Sequence, residues 1–381
     1  MKRQYFKNLN GVRFILAFAV IIHHIEEMAS VLKINHHLSD YRFLHPIGVV
    51  SVSFFFTLSG FLITHILLVE KENTKTINLK GFYKSRLLRI WPLYFIILFT
   101  TWFVIDLTVL KNINDTFYFS NLFGQPEPIY LGKSVYFLLS LFLLPQLAQA
   151  LSITFQGSLV YASQLWSIGV EEIFYLFWPF ILLKFSNIKK STFFIFFIYY
   201  LLVVLTIIIG KKMGHFDIGN IQVAKLAKSS ILFLGFTRIP CLMIGVIAAI
   251  LHHSKHKSLA FFSNKWMFLI ALTLILLMLG FGIEFPFIIH EVYCTLFLFI
   301  LFYLIKDNKS YFLENKMLNY LGKISYGIYM YHMIAIMIAF YLYQQRYLNY
   351  FTVYLSTIIL TILFSVISYE FIEKKFLNLK R

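Results

Sequence analysis

Ionisable side chains within long apolar segments are the groups in this 381-residue sequence best suited to chemistry. A charged group inside a membrane span costs about 3 kcal/mol or more unless it faces a wet or polar interior, so each one marks a candidate functional site. The residues of this kind are Arg13, His24, Glu171, Glu172, Arg238 and His332.

Helical rise predicts that several of these side chains reach the same depth. At 1.5 Å per residue, His24 lies about 16 Å beyond Arg13, near the middle of a bilayer. The same arithmetic places the Glu171–Glu172 pair, Arg238 and His332 about 12 to 15 Å from the nearer surface. Each residue alone also fits a buried core histidine or a structural ion pair. Their coincidence at one depth favours a functional site.

A second basic cluster lies between residues 79 and 91, where apolar residues alternate with Lys80, Lys84, Arg86 and Arg89. This pattern predicts an interfacial helix on the inner leaflet, followed by a bend at Pro92 into the next span. Composition leaves two interpretations open. The cluster is either an ordinary topology signal, or Arg86 and Arg89 bind a phosphate-bearing ligand through their planar guanidinium groups.

The elements that position these residues are membrane helices. The chain is 59% hydrophobic and 13% charged, against roughly 25% charged in ordinary globular proteins, which excludes a water-soluble globule. We therefore predict an all-α, polytopic membrane helical bundle of about ten transmembrane helices. The apolar runs begin near Val12, Pro46, Pro92, Ser163, Thr192, Ser230, Trp266, Pro286, Gly322 and Tyr350.

The distribution of basic residues predicts the topology. With ten spans and both termini cytoplasmic, most Lys and Arg residues fall on the inside, as the positive-inside rule requires. The apolar part of the segment 134–162 is too short to cross the membrane. We therefore predict that this segment is re-entrant or interfacial. The whole chain, residues 1–381, is then one membrane-embedded domain. Small-residue span faces leave a homodimer open.

Several other kinds of site are excluded by the same pattern. The net charge of +17 does not indicate nucleic-acid binding, because most basic residues flank spans and suit anionic lipid headgroups. Cys241 and Cys294 lie in apolar runs and are expected to pack as small hydrophobic residues. Loop histidines without Cys or carboxylate partners at ligand spacing predict no metal site.

Six sequence blocks follow one another along the chain: LNGVRFILAFAVIIHH (9–24), FFFTLSGFLI (54–63), FYKSRLLRIWPLYF (82–95), LWSIGVEEIFYLFWP (165–179), RIPCLMIG (238–245) and ISYGIYMYH (324–332). Taken in order, they resemble the acyltransferase 3 family of membrane O-acyltransferases from about residue 9 to residue 376. The departures are small: residues 48–53 lack the acidic residue usual before the second block, and the chain resembles a stand-alone form without a C-terminal hydrolase-like domain.

The resemblance implies an enzyme of the bacterial cytoplasmic membrane that transfers an acyl group, most often acetyl from acetyl-CoA, to a hydroxyl of a cell-envelope carbohydrate. Acyl-CoA is then a substrate, and no permanently bound cofactor is implied. A secondary transporter is the rival function, because intramembrane carboxylate, His and Arg residues also form ion pathways.

The resemblance also implies roles for the candidate residues. His24 suits a general base, although a covalent acyl-histidine is an open alternative. Glu171 or Glu172 would orient its ring. The remaining assignments are donor binding by Arg13, Arg86 and Arg89, and substrate or oxyanion contacts by Arg238, His332 and Ser167.

Overall fold

The fold is described from a computed structural model of the chain. The residues that the structure describes are 5–32, 34, 43–105, 108, 110, 133–155, 162–185, 187–215, 221–283, 289–306 and 311–379. These residues form helices and turns, and they contain no β-strand.

The helices are numbered here in chain order. The first eight are α1 (Leu9–Val31), α2 (Leu44–Thr74), α3 (Leu79–Phe99), α4 (Lys133–Leu141), α5 (Pro145–Phe155), α6 (Leu165–Lys184), α7 (Ile188–His215) and α8 (Ile221–Thr237). The others are α9 (Ile239–His253), α10 (Leu259–Phe262), α11 (Lys265–Gly280), α12 (Ile289–Ile305), α13 (Lys316–Lys323), α14 (Ser325–Gln344), α15 (Tyr350–Ser368) and α16 (Lys374–Asn378). Two π-helical turns, Thr100–Val104 and Tyr369–Glu373, follow α3 and α15.

The chain divides into two compact units. Unit 1 comprises Met1–Leu93 and Cys241–Arg381, and unit 2 comprises Tyr94–Pro240. In unit 1, α1 packs against α2, α13 and α14, and α14 packs against α15. In unit 2, α5 packs against α6 and α8, and α8 also packs against α7.

The prediction of an all-helical chain is confirmed for the described residues. Within the described ranges, seven helical segments are long and apolar enough to cross a membrane. They correspond to α2, α3, α6, α7, α8 with α9, α14 and α15. The three remaining predicted spans correspond to α1, α11 and α12. Both α11 and α12 are shorter, while α1 carries Arg13, Glu26 and Glu27 along its 23 residues.

Two local expectations meet different outcomes. The predicted interfacial helix and the span after Pro92 form one helix, because α3 continues through this proline to Phe99, and the bend at Pro92 stays a prediction. In the segment 134–162, α4 and α5 have 9 and 11 residues, each too short to cross about 30 Å of hydrocarbon. Leu143, with φ 61°, separates these two helices. The re-entrant placement stays a prediction, and residues 156–161 lie outside the described part.

A polar network around the buried Asn8 holds the start of α1. The backbone N–H of Asn8 donates to Glu314 Oε2 at 2.6 Å, and its side-chain amide donates to the Leu304 carbonyl at 2.9 Å. Tyr5 also donates to Glu314, at 2.6 Å. Asn8 itself has φ 68°, a left-handed conformation that asparagine tolerates well. The network fixes the position of α1 and therefore of Arg13 and His24.

Two glycines allow α2 and α9 to pack at backbone distance in unit 1. A Cβ atom added at Gly60 would collide with the carbonyl oxygen of Leu242, and one added at Gly245 would collide with that of Thr57. The Thr57 hydroxyl donates to the Cys241 carbonyl at 3.2 Å. Cys241 is buried there, and Cys294 is buried on α12, which confirms that both pack as small apolar residues.

We predict that Gly60→Ala destabilises the protein by about 1 to 3 kcal/mol, because rigid backbone must move to admit the methyl group. Gly280→Ala is the matched control, since nothing lies within 4 Å of a Cβ at that position. Thermal unfolding of the purified variants in detergent, followed by circular dichroism, measures the difference. Equal melting temperatures for the two variants would contradict this packing.

Candidate active site

Two histidines from different helices of unit 1 meet at the centre of the candidate site. His24 on α1 and His332 on α14 have ring centroids 4.9 Å apart, and His332 Nε2 lies 3.2 Å from His24 Nδ1. His332 is fully buried, with 0% exposure, whereas the His24 side chain is 19% exposed. The structure thus brings together two of the residues singled out by depth in the sequence.

Backbone carbonyls assign the protons on these two rings. His332 Nδ1 contacts the Tyr329 carbonyl, and His24 Nδ1 lies 3.0 Å from the Val20 carbonyl. Because a carbonyl can only accept, both Nδ1 atoms carry the proton in neutral rings. His332 Nε2 then accepts from His24 Nδ1–H. The consequence is that His24 Nε2 retains its lone pair.

Glu27 is the carboxylate that faces this free nitrogen. Its Oε2 atom lies 3.8 Å from His24 Nε2, one helical turn along α1, and its side chain is 45% exposed. Sequence reasoning missed Glu27 because it searched other spans for a partner. The signal was present in the sequence HHIEE, where an i,i+3 spacing places the two side chains on one face.

His23, which sequence reasoning also missed, completes the group. Its Nδ1 lies 3.0 Å from the carbonyl of Leu44 on α2. Gly48 lies against this ring, and a Cβ added there would collide with the His23 ring. The absence of a side chain at Gly48 therefore admits the imidazole between α1 and α2.

The same residues have the composition of a metal site. Within the described ranges, His23, His24 and Glu27 are the one group of three such side chains whose ligand atoms all lie within 4.8 Å of one another. The expectation that the protein binds no metal stays a prediction.

The arginines assigned to donor binding also lie in unit 1. Arg13 is half-buried on α1. On α3, the Arg86 guanidinium lies 5.8 Å from the centroid of the Phe82 ring. The next turn of α3 is anchored to α14, because the Tyr326 hydroxyl donates to the Ile90 carbonyl at 2.9 Å. Arg89 is half-buried beside this anchor.

Unit 2 holds the other candidates. Glu171 on α6 accepts a hydrogen bond from the buried Tyr175 hydroxyl one turn away. Glu172 is half-buried beside it. The Ser167 hydroxyl, also buried, donates to the Gln164 carbonyl at 3.2 Å. The predicted pairing of Glu171 or Glu172 with His24 stays a prediction, since the two units are described separately.

Arg238 breaks the helix that the sequence predicted to be continuous. It has φ 40° and separates α8 from α9. A left-handed conformation costs a non-glycine residue about 1 to 2 kcal/mol, and such outliers concentrate at functional sites. Its guanidinium lies 5.5 Å from the centroid of the Trp166 ring, next to Ser167.

Gln146 is a further polar residue of unit 2 that the sequence did not single out. It lies at the start of α5 with 0% exposure, and neither atom of its side-chain amide has a hydrogen-bond partner within the described part of the chain. The side-chain oxygen of Gln146, Oε1, faces Gly169 of α6, and a Cβ added at Gly169 would collide with it. A buried amide without a partner costs about 1 to 3 kcal/mol and calls for an explanation.

Comparisons with known proteins agree on one kind of protein. A family model described as "Acyltransferase domain" matches residues 6–370. The chain is 27% identical over 394 residues to a Staphylococcus aureus (strain COL) protein named "Putative O-acetyltransferase", covering 98% of this chain and 58% of that one. The chain therefore spans a little over half of this relative's length.

A second relative is named for its substrate. The chain is 26% identical over 211 residues to "Peptidoglycan O-acetyltransferase OatA" of Listeria monocytogenes, which covers 50% of this chain and 26% of the relative. No solved structure matches the chain.

The proton assignment can be measured directly. We predict that, in protein labelled with ¹⁵N-histidine, the Nδ1 of His24 is protonated and its Nε2 is not, because the Val20 carbonyl and His332 both face Nδ1. Solid-state ¹⁵N spectra, with His24→Gln to assign the signals, report the tautomer. A protonated Nε2 in the neutral ring would contradict the assignment.

Proposed function

Because the chain belongs to the acyltransferase domain family whose model spans residues 6–370, we propose that it is a multi-pass membrane O-acyltransferase. The proposed reaction transfers an acyl group, acetyl from acetyl-CoA in the simplest case, to a hydroxyl of a cell-envelope glycan. The names of the relatives, O-acetyltransferase and peptidoglycan O-acetyltransferase, support this class of reaction.

The observation that carries the proposal is the free Nε2 of His24. A general base needs a lone pair held in a fixed direction, with a pKa that allows it to take and return a proton. The Val20 carbonyl and His332 hold Nδ1, and the ring is partly exposed at Nε2. This arrangement suits removal of a proton from a hydroxyl.

The proposed acyl transfer passes through a tetrahedral intermediate. His24 Nε2 takes the proton of the acceptor hydroxyl while that oxygen attacks the thioester carbonyl carbon. The tetrahedral intermediate collapses, the carbon–sulfur bond breaks, and the CoA thiolate receives the proton from the imidazolium. The products are the O-acyl glycan and free CoA. Attack by Nε2 itself, giving an acyl-histidine, uses the same lone pair.

Glu27 supports this role electrostatically. Its carboxylate oxygen lies 3.8 Å from His24 Nε2 and would stabilise the imidazolium that forms in the first step. Glu171 and Glu172 remain proposed as additional catalytic carboxylates from unit 2. His332 in its neutral form directs one nitrogen to Tyr329 and the other to His24, so we assign it to positioning His24 and favour Arg238 or Ser167 for the oxyanion.

The donor is proposed to bind at the cytoplasmic side. We propose ten spans with both termini in the cytoplasm of a bacterium, because this topology places most of the 34 Lys and Arg residues inside. Arg13, Arg86 and Arg89 would then face the phosphates of acyl-CoA. The pantetheine arm would carry the thioester towards His24.

The acceptor is proposed to approach from the opposite side, past α4 and α5. A sugar hydroxyl both donates and accepts hydrogen bonds, which matches the amide of Gln146. The neighbouring Gly169 leaves room for that amide. Binding of a glycan hydroxyl there would satisfy a polar group that has no partner among the residues the structure describes.

A secondary transporter is the alternative function, since buried His, Arg and carboxylate groups also conduct protons. The two functions differ in whether the protein binds a CoA thioester. Isothermal titration of the purified protein with CoA distinguishes them, and binding supports the acyltransferase.

We predict that His24→Ala lowers acyl transfer by roughly 100-fold to 10,000-fold, the contribution typical of a general base. The assay follows labelled acetyl from acetyl-CoA into envelope glycan in proteoliposomes. His256→Ala is the control, because His256 is exposed and its ring bonds Ser258 outside the site. An active His24→Ala protein would refute the mechanism.

A second prediction tests the role of His332. We expect His332→Leu to lower transfer roughly tenfold or more, because only the Val20 carbonyl then holds the tautomer of His24. His332→Gln retains an acceptor oxygen near the former Nε2 and is expected to recover part of the rate. Equal rates for the two variants would show that the hydrogen bond to His24 contributes nothing.

A further inference from the structure

The second half of α1 carries two imidazoles and one carboxylate at neighbouring positions of the same helix. Glu27 follows His23 by four residues and His24 by three, so its side chain lies one turn beyond both rings. The two ring centroids are 5.1 Å apart, and the ring planes are inclined by 68°. Each side chain offers one ligand atom, and these three atoms all lie within 4.8 Å of one another. The proposed acyl transfer gives no role to His23.

Backbone carbonyls leave a lone pair on both rings. His23 Nδ1 lies 3.0 Å from the Leu44 carbonyl, and His24 Nδ1 lies 3.0 Å from the Val20 carbonyl. Because a carbonyl only accepts, both Nδ1 atoms carry the proton in neutral rings and both Nε2 atoms keep their lone pairs. Histidines that bind metals commonly donate their other ring N–H to a carbonyl or carboxylate, which fixes the direction of the ligand nitrogen. The two rings therefore already have the protonation that a metal requires.

The spacing of the ligand atoms fits a small transition-metal ion. Zn²⁺ binds imidazole nitrogen and carboxylate oxygen at about 2.0–2.2 Å, so one ion can bridge two such atoms that are up to roughly 4.2 Å apart. His24 Nε2 and Glu27 Oε2 lie 3.8 Å apart. The Glu27 side chain is 45% exposed, so it has room to rotate and shorten the longer separations. Two imidazoles and one carboxylate are also the protein ligands of zinc sites that keep a fourth position for water.

The chemistry of the three ligands selects the class of metal. Mg²⁺ and Ca²⁺ prefer six or more oxygen ligands, whereas two of the three atoms here are nitrogen, which suits Zn²⁺ and its neighbours among the transition metals. The prediction of no metal site rests on the loop histidines, and it does not cover this group on α1. The proposed reaction needs no metal. A metal bound here would instead compete for the nitrogen that the reaction uses.

We propose that His23, His24 and Glu27 form a binding site for Zn²⁺, and that zinc bound there inhibits acyl transfer by occupying the Nε2 lone pair of His24. The inhibition rests on the proposed function, whereas the binding does not. A metal-bound Nε2 has no lone pair with which to take the proton of the acceptor hydroxyl. The same ion also engages the Glu27 carboxylate. Zinc is therefore an inhibitor at this site and not a cofactor of the reaction.

Calorimetric titration of the purified full-length protein with ZnCl₂ tests the binding. The protein carries an affinity tag without histidine and is first stripped of metal with a chelator. We expect zinc to bind the wild type, and His23→Gln or Glu27→Gln to weaken this binding about tenfold or more. Zinc that does not bind the wild type, or that binds both variants as tightly as the wild type, would overturn the inference.

His253→Gln is the matched control for this titration. It also removes a histidine that lies close to a glutamate, since His253 Nε2 is 3.5 Å from Glu72 Oε2. This pair lies at the end of α2, whereas His23 contacts Leu44 at its start. His253→Gln is therefore expected to bind zinc as the wild type does. Loss of binding in His253→Gln but not in His23→Gln would place the zinc site elsewhere.

X-ray absorption at the zinc edge identifies the ligands independently of activity. We expect nitrogen and oxygen neighbours at about 2.0–2.2 Å with the scattering pattern of imidazole, and a smaller imidazole contribution in zinc-loaded His23→Gln. Both cysteines are buried away from this group, on α9 and α12. A sulfur neighbour at about 2.3 Å, or an imidazole contribution unchanged in His23→Gln, would contradict the proposed ligand set.

The wild type alone provides a test if the variants do not fold. In protein labelled with ¹⁵N-histidine, zinc should shift the signal of the unprotonated Nε2 of His24 and leave its Nδ1 protonated, because the metal binds only at the lone pair. A His24 Nε2 signal that does not move at saturating zinc would overturn the inference.

The transfer assay tests the inhibition and separates it from the proposed function. Zinc at about ten times its Kd should lower the wild-type rate about tenfold, since roughly one site in ten is then empty, and a chelator should restore it. His23→Gln should need more zinc for the same fractional loss from its own zinc-free rate. Zinc that binds the group and leaves the rate unchanged would refute the inhibition. If the wild type transfers no acyl group without zinc, the proposed function fails, while calorimetry and X-ray absorption still decide the site.

Discussion

The hydrogen bond between His24 and His332 is the interaction on which the candidate site depends. It joins α1 to α14. The Tyr329 carbonyl occupies the other nitrogen of His332, and the Val20 carbonyl faces the same His24 Nδ1 that donates to His332. A neutral imidazole has one donor and one acceptor, so fixing the proton of His332 also fixes that of His24. The packing of α1 sets the distance between the rings. The Asn8–Glu314 network and the close approach of α13 at Gly322 both hold that helix.

The depth of ionisable groups and the all-helical character follow from the sequence, because both depend on hydropathy and on a constant rise per residue. His24 and His332 were placed at one depth, and the structure places their rings side by side. Glu27 escaped this reasoning because depth arithmetic compares spans, whereas Glu27 acts within one helix and is partly exposed. The count of ten spans depends on α1, α11 and α12, which are too short or too polar for length and hydropathy to decide.

Backbone irregularities were the least accessible to sequence reasoning. Pro92 predicts a bend from its own chemistry, and α3 continues as a helix through it. Arg238 in a left-handed conformation and the π-turn that buries Glu373 depend on tertiary packing. No residue type encodes either feature. The turn at Arg238 brings its guanidinium to the Trp166 ring, and the π-turn buries Glu373 beside the Ser368 hydroxyl.

The use of main-chain carbonyls to set the histidine protons has a consequence for variation. Every amino acid brings a carbonyl, so the side chains at Val20 and Tyr329 can be exchanged without loss of the groups that choose the tautomer. What has to persist is the helical path that aims those two oxygens at the rings. The basic nitrogen is in this sense specified by geometry, and relatives with different residues at these two positions would inherit the same protonation.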